Sequence, residues 1–231
     1  MNERENILGR IREALSVPAQ KPGGHDHASE KPCGDCASKE ARPVTAWLPL
    51  VGEAFEEQVE LFAKNSKELT TDFRLVASEE ELRACLAEIA QAEGWKKIAT
   101  HAGALTGEAA AALGLPVLHT DGGYDVCELE QCDAGISACD ALVAQTGGVL
   151  VTSQSAGGRA LSVLPPHHVV LARREQLVPD LTAAFALLKA KYQGAYPSMI
   201  SFITGPSRTG DIERILVLGA HGPKKLTVLC V

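Results

Sequence analysis

The run Thr204-Gly205-Pro206-Ser207-Arg208-Thr209-Gly210-Asp211-Ile212-Glu213 carries the strongest chemical signal in the chain. An apolar strand here enters a loop of small residues that reads as feeding a helix, and ligands of open α/β sheets bind at the carboxyl ends of strands. Gly205 stands at that end, Ser207 and Thr209 offer hydroxyls, and Arg208 adds a forked donor for a carboxylate or phosphate. The plainer alternative is an ordinary turn in which Thr209 or Asp211 caps the helix and Arg208 is solvated. A second glycine-rich loop, Ser155 to Ser162, carries Arg159 and Ser162 and could close over an anion beside Arg208, although such connections are common. The third candidate is His221, set between small residues before the last apolar run, as a general base or simply a surface turn residue.

Other groupings are weaker. His25, His27, Cys33 and Cys36 are ligand types that suit zinc. They lie among prolines and glycines, where an ion would organise no packed core, so no metal site is assigned. Cys127, Cys132 and Cys139 miss the spacing of iron-sulfur runs and are expected as free thiols. The chain has no G-x-G-x-x-G, no G-x4-G-K-[ST] and no G-x-S-x-G, so no nucleotide cofactor and no hydrolase nucleophile is assigned to it.

Positioning these residues requires alternating helices and strands. Ile7, Leu8, Ile11 and Leu15 mark a helix over residues 1–15. Residues 16–46, rich in proline and glycine, read as a flexible linker, and an α/β domain is expected over 47–231. Within it Phe55, Val59 and Phe62 share a helix face, Asp72 to Ala77 reads as a strand, and Ser78 with Glu81 forms a capping box. Strands at Lys97 to Thr100 and Leu115 to Leu118 flank a helix around Glu108 to Leu113. Ala141 to Ala144 and Val149 to Thr152 flank a glycine turn, which predicts a hairpin inserted in the sheet. The strand His168 to Ala172 follows, then a helix with Leu181, Ala184, Phe185 and Leu188 on one face. The strand Ser198 to Thr204, a short helix over Gly210 to Leu216 and the strand Leu226 to Val231 close the chain. The expected fold is a single α/β domain with a mixed, mostly parallel sheet flanked by helices.

Composition bounds the function. Against 22 basic residues stand 29 acidic ones, a net charge of −7, which disfavours a nucleic-acid binder, and 4% aromatic content disfavours stacking on bases. No apolar run approaches the ~18 residues of a membrane span. With no export signal and seven irregularly spaced cysteines, a cytoplasmic protein with reduced thiols is expected.

Taken in order, Asp133 to Ser137, Ala144 to Gly147, Gly158 to Pro166, Thr204 to Thr209 and Leu218 to Pro223 resemble the LUD-domain family. The resemblance implies a fold like that of the ribose-phosphate isomerase, glucosamine-phosphate deaminase and CoA-transferase group. It also implies a part in oxidising L-lactate to pyruvate beside an iron-sulfur subunit and a cysteine-rich subunit, whose clusters would take the electrons. The family usually carries an acid where this chain has Gln145, and an amide cannot form the acyl anhydride of covalent CoA transfer. On residue chemistry, Arg159 and Arg208 would hold a small carboxylate and His221 would take the hydroxyl proton. Two rival readings stand beside this one: a non-catalytic assembly module for iron-sulfur subunits, and an enzyme acting on a phosphorylated or CoA-linked molecule. Whether the chain itself turns over substrate is left open.

Overall fold

A computed structural model of the chain describes residues 50–209, 217–219 and 221–231. The expected helix over 1–15, the linker over 16–46, the His25/His27/Cys33/Cys36 group and the helix over 210–216 therefore lie outside the described residues.

Helix α1 (Phe55–Glu68) leads to β1 (Asp72–Leu75). Ser78 then caps α2 (Glu79–Glu93) by accepting the Glu81 N–H at 3.3 Å, while the Glu81 carboxylate accepts the Ala77 N–H at 2.7 Å. That arrangement satisfies amides which an uncapped helix start would leave exposed. After β2 (Ile98–Thr100) come α3 (Ala104–Ala112), β3 (Val117–His119) and the short α4 (Val126–Glu130). Next are β4 (Ala134–Ala138), the hairpin β5 (Ala141–Val143) and β6 (Gly148–Thr152), a 3₁₀ turn (Ala160–Ser162), and β7 (His167–Ala172). The chain continues through β8 (Leu177–Val178), α5 (Leu181–Tyr192), β9 (Ile200–Ile203), β10 (Arg208–Thr209), β11 (Val217–Leu218) and β12 (Lys225–Cys230).

Six strands, in the order β1-β12-β7-β4-β2-β3, form a fully parallel sheet. Its centre is buried on both faces, as parallel sheets require: all six residues of β7 are buried. One face packs through Val169, Leu171, Leu229 and Ile136 against Leu82, Leu86 and Ile89 of α2 and the alanines of α3. The other presents Val170, Ala172, Val228 and Cys230 to Leu142, Val149 and Val151 of a second sheet, ordered β8-β5-β6-β9. The outer face of that sheet, with Ala141, Val143 and Leu150, is covered by Ala184, Leu188 and Tyr192 of α5. Helices thus flank a stack of two sheets.

Two expectations change. The predicted hairpin exists with its register intact, Ala141 opposite Leu150, but it stands in the second sheet rather than as an insert in the parallel one. A hairpin motif fixes which strands pair and leaves open which sheet they join. Phe185, expected on the buried face of its helix, is 57% exposed, its ring tilted against Phe202 at 5.5 Å.

Candidate functional site

Gly135 on β4 explains how the glycine-rich loop reaches the sheet. A Cβ there would lie 2.4 Å from the Leu161 carbonyl oxygen, so only glycine lets the 3₁₀ turn sit down on the strand. Gly135 is the register partner of His168 on β7, and the turn's Arg159 and Ser162 are thereby brought beside that histidine. From the other side the loops 205–207 and 219–223 close together: Ser207 donates its N–H to the Pro223 carbonyl (2.9 Å) and accepts the Gly219 N–H (2.9 Å). Gly222 packs on Ser207, where a Cβ would meet the serine Cβ at 3.0 Å.

Between these parts lies a cleft of about 350 Å³, within the range of small-molecule sites. Arg159, Ser162, Gly205, Ser207 and His221 all line it, which brings together five of the seven residues singled out in the sequence. Its apolar walls come from Met199, Ile203 and Leu226. The Arg159 side chain is exposed and makes no hydrogen bond or ion pair with the described residues. Ser162 is buried and donates its hydroxyl to the Arg159 carbonyl at 2.9 Å, which holds the turn in shape. His221 is exposed at the rim.

Arg208 and Thr209 do not line the cleft. They form β10, paired antiparallel to β11, and the Arg208 guanidinium donates to the Leu69 carbonyl and, at 3.2 Å, to the Thr70 hydroxyl. It thus ties the cleft rim to the carboxyl end of α1, where carbonyls lack helical partners. Gly205, at φ +98°, allows this approach, since a Cβ would stand 2.6 Å from the same Leu69 carbonyl. The sequence pattern predicts this loop at the carboxyl end of a strand in an open parallel sheet. In the structure its strand, β9, belongs to the second sheet, and the cleft opens beside the amino-terminal ends of β7 and β12, where His168 and Leu226 stand. Gln145 lies in the β5–β6 turn, its backbone tied to Pro179 and Asn65, and takes no part in the cleft.

Sequence reasoning missed His168. Its ring is 1% exposed, its Nε2 stands 2.8 Å from the Ser137 hydroxyl of β4, and its Nδ1 has no partner among the described residues. Burial pushes its pKa down to about 3, so the ring is neutral at physiological pH. The available signal was the pair His167-His168 opening an apolar strand, because the period of two must send one of them to each face. His101 shows the contrast. The Ala138 N–H donates to its Nε2 at 3.1 Å and its Nδ1 faces the Ala102 carbonyl at 3.0 Å, so both nitrogens are spent on structure.

A second cleft, about 410 Å³, contains His167, but its charges neutralise one another: Arg74 with Asp72 at 3.1 Å and Lys225 with Glu93 at 2.6 Å. Among the described residues no cluster of three or more His, Cys, Asp or Glu is placed to hold a metal ion. Cys85, Cys127, Cys132, Cys139 and Cys230 are free thiols, and burial pushes Cys139 and Cys230 up, the latter to about 11. No described helix is long and apolar enough to cross a membrane.

Residues 127–231 match the family model of the LUD domain, a stretch that holds every residue lining the first cleft. Over that stretch the chain is similar to the LUD-domain family. The lactate utilization protein C of Geobacillus kaustophilus is 37% identical over 112 residues, 48% of this chain and 47% of that protein. Its namesake in Halalkalibacterium halodurans is 37% identical over 115 residues, 49% and 50% of the two chains. The chain thus spans about half the length of the curated relatives it matches. Among solved structures, a DUF162 family protein from Deinococcus radiodurans superposes with a TM-score of 0.60 at 21% identity, over 79% of this chain and 99% of that one, a likeness of fold.

Proposed function

We propose that the cleft binds a small carboxylate of the lactate and pyruvate kind, and that the chain serves in the cytoplasm as a subunit of a system oxidising L-lactate to pyruvate. The observation that carries this reading is the convergence of a guanidinium unpaired among the described residues, three serines and two histidines on one cleft with apolar walls. The names of the relatives support the lactate side of it.

In this reading Arg159 pairs with the carboxylate at the mouth, since a planar fork matches two carboxylate oxygens. Ser207 and the loop at Gly205 close one side, and Met199, Ile203 and Leu226 receive the short alkyl group. His221, open to water at the rim, accepts the hydroxyl proton and passes it to solvent. Arg208 and Thr209 act through the rim, by fixing the loop that carries Ser207. Breaking the C2–H bond releases a second proton to solvent together with two electrons, for which iron-sulfur clusters of partner subunits, one of them cysteine-rich, would supply the acceptor.

Thermal-shift measurements with L-lactate, pyruvate, ribose 5-phosphate and CoA test the reading against its rivals, because a ligand that binds only the folded state raises the melting temperature. Stabilisation by the two acids alone is expected. Stabilisation by ribose 5-phosphate or CoA instead would favour an enzyme on phosphorylated or CoA-linked molecules, and silence throughout would favour an assembly module.

A further inference from the structure

Ser137 is fully buried, and its hydroxyl has one partner among the described residues, the Nε2 of His168 at 2.8 Å. A buried hydroxyl must donate somewhere, and this contact is where it does so. Nε2 therefore accepts, and because burial keeps the ring neutral, the single ring proton resides on Nδ1. That N–H is buried, has no acceptor among the described residues and belongs to a side chain that lines the cleft.

We infer that His168 is the donor that holds the oxygen next to the ligand's carboxylate, with Ser137 as the positioning residue that fixes its tautomer, so that the cleft is specific for acids carrying a hydroxyl or oxo group at carbon 2. This rests on the carboxylate reading of the cleft given above. Arg159 holds the carboxylate at the mouth, and the 3₁₀ turn seated on Gly135 sets that arginine beside the deeper His168. A carbonyl oxygen accepts the Nδ1–H directly. A hydroxyl oxygen accepts it through a lone pair while its own proton stays available to His221, so the same donor serves both oxidation levels and faces the oxygen on which negative charge grows as that proton leaves. The imidazole keeps its one proton throughout.

The test uses the full chain labelled with ¹⁵N-histidine, titrated with L-lactate, pyruvate and propionate, which lacks the second oxygen. Expected are a protonated Nδ1 and an unprotonated Nε2 for His168 in the free protein. Its Nδ1 resonance should shift with lactate and pyruvate and not with propionate, and affinity for propionate should be roughly tenfold lower, the worth of one hydrogen bond of about 1.4 kcal/mol. Ser137→Ala should mix the tautomers and erase most of that discrimination, whereas Ser137→Thr, which keeps the hydroxyl, should preserve it. Should either variant fail to fold, the wild-type spectra decide alone. Equal binding of all three acids with an unmoved His168 resonance overturns this inference and leaves the carboxylate reading standing. If none of the three acids binds, both are overturned.

Discussion

His167 and His168 are neighbours in sequence and turn to opposite faces of β7, each tied through Nε2 to a hydroxyl of an adjacent strand: Thr227 at 2.9 Å and Ser137 at 2.8 Å. Each leaves its Nδ1 buried without a partner among the described residues, and each lines a different cleft. Two neutral imidazoles in one central strand have a consequence for stability.

Burial holds the pKa of His168 near 3 and that of His167 near 4, both below the ordinary value of 6.5. Between the depressed and the ordinary value the unfolded chain binds more protons than the folded one, so stability falls as pH falls through this window. Their stabilising contribution is full above about pH 6.5 and is lost towards pH 3–4, at ~1.4 kcal/mol per pH unit for each ring. Urea unfolding of the full chain at pH 7, 6, 5 and 4 should show a steep loss of stability. His168→Asn should lower stability at pH 7 and flatten the slope, and an unchanged slope in that variant would refute the assignment.

Gly135→Ala would place a methyl group where the Leu161 carbonyl oxygen now lies, at 2.4 Å. The strand and the turn must then separate, at a cost of about 1–3 kcal/mol for overpacking. Because the turn carries Arg159 and Ser162, affinity for L-lactate should fall together with stability. A Gly135→Ala chain with wild-type stability and wild-type binding would show that the turn is not seated by this glycine.

Asp140 is 4% exposed and accepts from Lys191 Nζ at 2.5 Å and from the Tyr192 hydroxyl at 2.9 Å. Burial opposes its ionisation, but hydrogen bonds from Lys191, Ser155 and Tyr192 outweigh that and hold the carboxyl below its usual range. Removing the carboxylate with Asp140→Ala strands two donors, although Lys191 is half exposed and can turn to water. A loss of about 2–3 kcal/mol is expected, with Asp140→Asn costing roughly half as much, since it keeps an acceptor. Denaturant titration checks both, and equal stability of all three proteins would contradict the account.

Much of the fold is legible in the residues, and the exceptions are instructive. The β-α alternation, the Ser78 cap and the β5–β6 hairpin follow from apolar periodicity and turn chemistry. Strand β4, central to the parallel sheet, escaped notice because Ala134-Gly135-Ile136-Ser137-Ala138 has weak strand propensity. Gly135 is small so that the 3₁₀ turn can touch the strand, and Ser137 is polar to hold His168, so the local signal yields to the needs of the site. Arg159, Ser162, Gly205, Ser207 and His221 could be picked out as chemically apt, and they do converge. Arg208 looked equivalent to Arg159 in sequence. What separates them is the carbonyl end of α1, which sits within reach of Arg208 and not of Arg159, a long-range fact that no local pattern encodes.

Calorimetric titration of L-lactate and pyruvate into the full chain, its Arg159→Ala variant and its Arg208→Ala variant tests the central claim most directly. Saturable binding of both acids is predicted for the wild type. Arg159→Ala should weaken it by about 1.5–3 kcal/mol, the worth of hydrogen bonds to a charged partner, and Arg208→Ala by less, since that guanidinium serves the rim. Absence of binding to the wild-type chain, or unchanged affinity in Arg159→Ala, would contradict the assignment of this cleft as a carboxylate site.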